Sequence, residues 1–294
     1  MNEALLDLAL DRAASVVVVG TAKNTGKTVT FNALRAVAAR RGLGYGITSI
    51  GRDGEAFDAL DGHEKPRVRV PGGTVLALPS ELVPRSPALE IIETGEPSAL
   101  GLIVFARARL ATTCEIGGPP SARAIRATID RVRALATGPV FVDGAIDRIA
   151  PLAGGGDAVI VATGAASGAT VERVAEVVAD VVARLRVPAY DPARDGTIAT
   201  RVAAALDPAI AEGLLAGESR VVVVADPTKI TVRGRLFARL CEHVVLRCER
   251  ALRVVACTTS SVGRDGALDP VALVRAVARA TALPAFDVLA RLRA

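Results

Sequence analysis

The chain has 294 residues, 51% of them apolar and 23% charged, which is enough to bury a full core and too apolar for a disordered segment. Thirty-six basic residues against 31 acidic ones give a formal charge of +5. The arginines are dispersed rather than gathered in runs and aromatics are 3% with no Trp, so nucleic acid is not the expected partner.

In chain order, MNEALLDLALDRAAS opens acidic and places Leu5, Leu6, Leu8 and Leu10 as an amphipathic helix would. It is not read as a secretion signal, and with no apolar run long enough to span a bilayer the expectation is a cytoplasmic protein with no membrane partner. SVVVV, ending at Gly20, predicts a strand buried on both faces, followed by a helix over 29–41. YGITSI predicts a second strand that runs into the polar GRDGEAFDALDGHEKP. Between 67 and 110, the pieces VRV, TVLAL, ALEIIE and GLIVFARARL, separated by Gly and Pro, predict a small antiparallel excursion. A helix is expected over 121–137, then a strand GPVFVDG that delivers Asp143 at its end, then DAVIVATG and a helix over 169–185. From Val187, Pro and Gly mark a loop-rich join. After it come RVVVVADPTK, a strand in HVVLRC that carries His243, LRVVACTTSSVGRDG, a helix over 270–281 and PAFDVL.

Alternating strands and helices imply a mostly parallel sheet covered on both faces, with ligands at the carboxyl ends of the strands. Four strand-end loops are candidates. The first is GTAKNTGKT: Gly20, Thr21, Ala22, Lys23, Asn24, Thr25, Gly26, Lys27, Thr28, followed by Val29. A glycine-rich turn entering a helix aims backbone N–H groups and the positive end of the helix dipole at an anion. Lys27 suits the β and γ oxygens of a nucleotide and the Thr28 hydroxyl suits Mg²⁺. Five residues rather than four separate Gly20 from Gly26, so the strict phosphate-loop pattern is not met. The second is FVDGAIDR, where Asp143 at a strand tip would hold Mg²⁺, with Asp147 and Arg148 close behind. The third is TSIGRDGE, in which Asp53 and Glu55 could reach the metal's water shell or the attacking water. The fourth is VATGAASGAT, whose small residues would let a nucleotide ring approach the backbone or simply make a tight turn.

Lysine usage singles out the first loop. Lys23, Lys27, Lys65 and Lys229 are the four lysines beside 32 arginines, and an ammonium and a guanidinium are not interchangeable at a tight phosphate site. The cysteines Cys114, Cys241, Cys248 and Cys257 form no CxxC pair and read as buried small hydrophobes; His63 and His243 are too few for a metal cluster.

G-T-x-x-x-x-G-K-T together with VDGA at a later strand end resembles the dethiobiotin synthetases and cobyrinic acid a,c-diamide synthases, within the deviant-Walker P-loop group. The signature lysine of some members would fall at position 22, which is Ala22, with Lys23 one step on. GTAKNTGKT, FVDGAIDR, VATGA, DPTK and a final FDV more closely resemble the ATPase subunit of the lysine 5,6-aminomutase reactivases, over nearly the whole chain. The resemblance implies ATP and Mg²⁺ as cofactors, and as partner a cobalamin-dependent aminomutase or a second reactivase subunit.

The expected fold is therefore α/β: a mostly parallel, doubly wound P-loop NTPase sheet, with a nucleotide-binding domain over 1–186 and a smaller α/β domain over 187–294. The expected catalytic residues are Lys27, Asp53 and Asp143, and the expected metal ligands are Thr28, Asp53 and Asp143. Three functions are carried forward: an ATPase acting on a protein partner, an ATP-dependent ligase or small-molecule kinase, and a non-catalytic nucleotide switch. The glutamine-using ligases fit poorly, because Cys257 in VVACTTSSVG lacks their G-x-C-x-G elbow. ATP is not distinguished from GTP, and a homodimer is left open.

Overall fold

Four consecutive valines without a polar break start the sheet from its middle. A computed structural model describes residues 1–50, 68–84, 86–144, 146, 149–263 and 266–294. After helix α1 (Asn2–Leu10), strand β1 (Ser15–Gly20) buries Val17 and Val19 against one helical layer and Val16 and Val18 against the other. Burying a valine on either face contributes up to about 1.5–3 kcal/mol, which is why the run has no polar side.

Helix α2 (Lys27–Arg40) leads to β2 (Gly46–Ser49). The antiparallel excursion follows: β3 (Val68–Val70), β4 (Val75–Pro79), β5 (Leu89–Ser98), β6 (Gly101–Ala108) and β7 (Thr112–Cys114). Of these, β6 pairs antiparallel with both β4 and β5 in the large sheet, and β3 pairs with β7 as a separate ribbon. Helix α3 (Ala122–Leu135), β8 (Val140–Asp143), β9 (Ala158–Gly164) and α4 (Val171–Leu185) complete the first 186 residues. The Ser121 and Thr170 side chains cap α3 and α4 by accepting from Ala124 N and Arg173 N.

Next come α5 (Pro192–Asp195), β10 (Thr200–Val202), α6 (Pro208–Ala216), β11 (Val221–Val224), α7 (Gly234–His243) and β12 (Val245–Cys248). The chain ends with β13 (Arg253–Ser260), β14 (Val262–Gly263), β15 (Gly266–Ala267), α8 (Pro270–Thr281), β16 (Ala285–Asp287) and β17 (Leu292–Arg293).

The large sheet has ten strands in the order β17-β16-β13-β9-β1-β8-β2-β4-β6-β5. From β16 to β4 every pairing is parallel; antiparallel pairs occur at its two margins. Among the described residues there are eight α-helices, with α1 and α2 on one face and α3, α4 and α8 on the other. The protein is thus mixed α/β with a large, mostly parallel sheet. The apolar side of α1 (Leu5, Leu6, Ala9) is buried in its own core with Phe31 and Leu34. No helix among the described residues is long and apolar enough to cross a membrane.

Two expectations are corrected. Residues 187–294 do not form one unit: β10, β11 and β12 make a separate three-stranded parallel sheet with its own core from Val187 to Cys248, but β13 and β16 return to the large sheet, where β13 pairs with β9. The smaller unit is therefore an insertion between β9 and β13. An apolar strand such as RVVACTTS suits either sheet, and only its partners decide which receives it. His243 ends α7 instead of lying on a strand, because the apolar face of that helix, Phe237 and Leu240, continues up to it.

Candidate functional site

The carboxyl ends of β2, β8, β1, β9 and β13 lie side by side, and the 20–28 loop leaves the central one. Thr21 N donates to the Ala162 carbonyl of β9 at 2.9 Å. The Thr21 hydroxyl donates to Thr163 Oγ1 at 3.0 Å and lies 2.7 Å from Ser167 Oγ. These contacts fix the start of the loop to the tip of the neighbouring strand. The residue in excess of the usual spacing is absorbed by a local curl. Asn24 takes a left-handed φ of 60°, and Thr25 turns inward, fully buried, with its hydroxyl donating to the Ala22 carbonyl at 3.0 Å.

Gly26 then caps α2 with φ +82°, where an L side chain is strained, and a Cβ there would also stand 3.0 Å from Ser260 Cβ. Gly20 is needed for space: a Cβ would come 2.7 Å from Thr25 Oγ1. Lys27, the first residue of α2, is placed by this turn beside the tip of β8. Its ammonium donates to the Gly144 carbonyl at 2.9 Å and lies 3.2 Å from Asp143 Oδ1. That oxygen is inaccessible to solvent and takes no hydrogen bond among the described residues. The ion pair is half-buried, so it is screened less than a surface pair.

Lys23 is an exposed residue of the same loop, and Thr28 is half-buried on the first turn of α2. Asp53, Glu55, Asp147 and Arg148 lie outside the described residues. Chemically, a helix N-terminus, a glycine turn and the Lys27 ammonium are groups that suit an anion, and the Asp143 carboxylate and Thr28 hydroxyl are hard oxygen donors. Thr28 and the buried, unbonded Asp143 Oδ1 suit a Mg²⁺ that completes its shell with phosphate and water. Among the described residues no three His, Cys, Asp or Glu side chains cluster as a self-sufficient metal site.

The end of β13, outside the four candidate loops named from the sequence, also meets this loop and helix. Thr30 on α2 and Thr258 on β13 are buried and lie 2.8 Å apart through their hydroxyls, and Ser260 packs on Gly26. The available signal was the hydroxyl-rich end of an apolar strand, CTTSS, the same texture as the TG that ends β9. Cys257 on that strand is fully buried, and burial pushes its thiol up to about 12, which removes it as a nucleophile. Burial likewise raises Cys114 to about 11 and Cys248 to about 12, whereas Cys241, on α7, is exposed, contrary to the expectation that all four are buried.

Comparison with protein-family models, with curated proteins and with solved structures found no match for this chain.

Proposed function

We propose that this chain is a Mg²⁺-dependent P-loop NTPase that hydrolyses ATP and acts on a protein partner, as in the reactivation of a cobalamin-dependent aminomutase. The observation that carries the reading is the pairing of Lys27, at the start of the helix after the loop, with Asp143, at the tip of the adjacent strand. These two groups neutralise each other in the absence of phosphate, and each has a separate task in its presence.

On binding, the Lys27 ammonium would exchange Asp143 and the Gly144 carbonyl for β and γ phosphate oxygens, which offer it stronger charge-assisted hydrogen bonds. Asp143, so released, and the Thr28 hydroxyl would be the residues that hold a Mg²⁺. A Mg²⁺ held there would supply positive charge to offset that which develops on the γ-phosphoryl group. The loop's N–H groups and the α2 dipole hold the nucleotide in place while water attacks, giving ADP and phosphate. Thr21, tied to Thr163 and Ser167, and Gly26, packed on Ser260, connect the loop to β9 and β13.

Phosphate release from Mg·ATP, measured with and without an adenosylcobalamin-dependent aminomutase carrying damaged cofactor, tests this. A low basal rate that rises with the aminomutase is expected, and no stimulation counts against the partner. A large acceleration by a small carboxylic acid or amine in the absence of protein would replace this reading with the ligase or kinase. Tight binding without turnover would replace it with the switch.

A further inference from the structure

Helices α4 and α8 leave the carboxyl ends of the parallel neighbours β9 and β13, so they run in the same direction across one face of the large sheet. Val174, Val178, Leu273 and Val277 are turned inward and buried. Between the outer surfaces of the two helices lies an open groove of about 750 Å³. Ala175, Ala179 and Ala276 are among the small residues that form its floor. One wall carries Glu172 and Glu176 from α4, the other Arg275 and Arg279 from α8, and all four are exposed.

The two walls have opposite charge and do not neutralise each other. Among the described residues Glu172, Arg275 and Arg279 make no ion pair, and Glu176 pairs with Arg173 of its own helix. A groove with an alanine floor admits close helix-to-helix approach, and a surface with one acidic and one basic wall is complementary to itself under one rotation.

We propose that this face docks a second copy of the chain about a two-fold axis parallel to α4 and α8. That operator sets the acidic wall of each copy on the basic wall of the other, twice, as an isologous contact requires. A two-fold axis lying across the helices would instead set Glu on Glu and Arg on Arg, and like charges brought together disfavour that arrangement. The face holds none of the loop residues, so the contact leaves the proposed nucleotide site in each copy unchanged.

Sedimentation equilibrium of the full chain tests the proposal. The wild type is expected to dimerise, and more weakly at high salt because the charged walls are open to solvent. The charge-reversed variants Glu172→Arg/Glu176→Arg and Arg275→Glu/Arg279→Glu are each expected to be monomeric. Mixed in equal amounts, they should form a heterodimer, since the all-basic face of one then meets the all-acidic face of the other. Ala276→Glu, which fills the floor and leaves both walls in place, should also give a monomer, and circular dichroism confirms that each variant is folded. A wild type that stays monomeric at every concentration, reversed variants that still dimerise alone, or a mixture that stays monomeric would overturn the proposal.

Discussion

Two stretches of this chain share a sequence texture and end in different chemistry. SVVVVG runs into a turn with Lys27, opposite Asp143; VVVVADPTK runs into a turn with Asp226 and Lys229. In the second, Asp226 is buried and already satisfied: Oδ1 accepts from Thr228 N at 3.0 Å and from the Thr228 hydroxyl at 2.5 Å, while Oδ2 accepts from Arg250 at 3.3 Å. The turn closes as a three-residue 3₁₀ helix, and Lys229 is left exposed. In the first, the turn opens a 14-residue helix through a left-handed glycine, and the buried Asp143 Oδ1 has the Lys27 ammonium opposite it and no hydrogen bond among the described residues. A carboxylate that already holds a turn together is structural. One that meets only an ammonium beside a helix N-terminus is the one proposed to take part in chemistry.

The comparison breaks if the two aspartates behave alike. The largest expected effect is Asp143→Asn, which should lower Mg²⁺-dependent turnover by about a hundredfold or more, the scale of losing one preorganised electrostatic contact. Its melting temperature should change little, and phosphate-release assays beside calorimetry separate the two quantities. Asp226→Ala should do the reverse. It strips the acceptor from Thr228 N–H and Arg250 at a cost of about 1–3 kcal/mol in stability, with nucleotide affinity unchanged in titration. Gly26→Ala should fall between them, since holding an L residue left-handed costs about 1–2 kcal/mol. It should weaken nucleotide binding and lower the melting point together.

The smallest expected effect is on acid stability. Asp195 is held below the usual carboxylate range, first by its hydrogen bond from Arg194 and further by Arg247. Because its folded value is depressed, its contribution is complete above the unfolded carboxylate pKa of about 4 and disappears as pH falls toward the folded value. Asp195→Asn should therefore flatten the acid limb of the unfolding curve of the inserted unit and leave stability at neutral pH without pH dependence from this group.

Much of the large sheet is legible in the sequence, because strands buried on both faces leave uninterrupted apolar runs: β1, β8 and β9 are readable to within a residue or two, and the helix over 270–281 is found at those bounds. The return of β13 and β16 is not legible. Their residues carry the same apolar signal as β11 and β12, and the choice between two parallel sheets depends on long-range pairing that no local pattern encodes. At the site, the loop and Asp143 could be named from motif and position, whereas Thr30 with Thr258, and Ser260 against Gly26, join residues more than two hundred positions apart. Hydroxyls are common at strand ends, so only the fold shows which ones meet the loop. The curl at Asn24 and Thr25 accounts for the unusual spacing in GTAKNTGKT, which sequence alone records without explaining.

Isothermal titration of Mg·ATP into the wild type and into Lys27→Ala tests the central claim most directly. Charge-assisted hydrogen bonds of about 1.5–3 kcal/mol predict a ten- to hundredfold loss of affinity in the variant. Equal affinity for the two proteins would contradict the assignment of the 20–28 loop as a phosphate site.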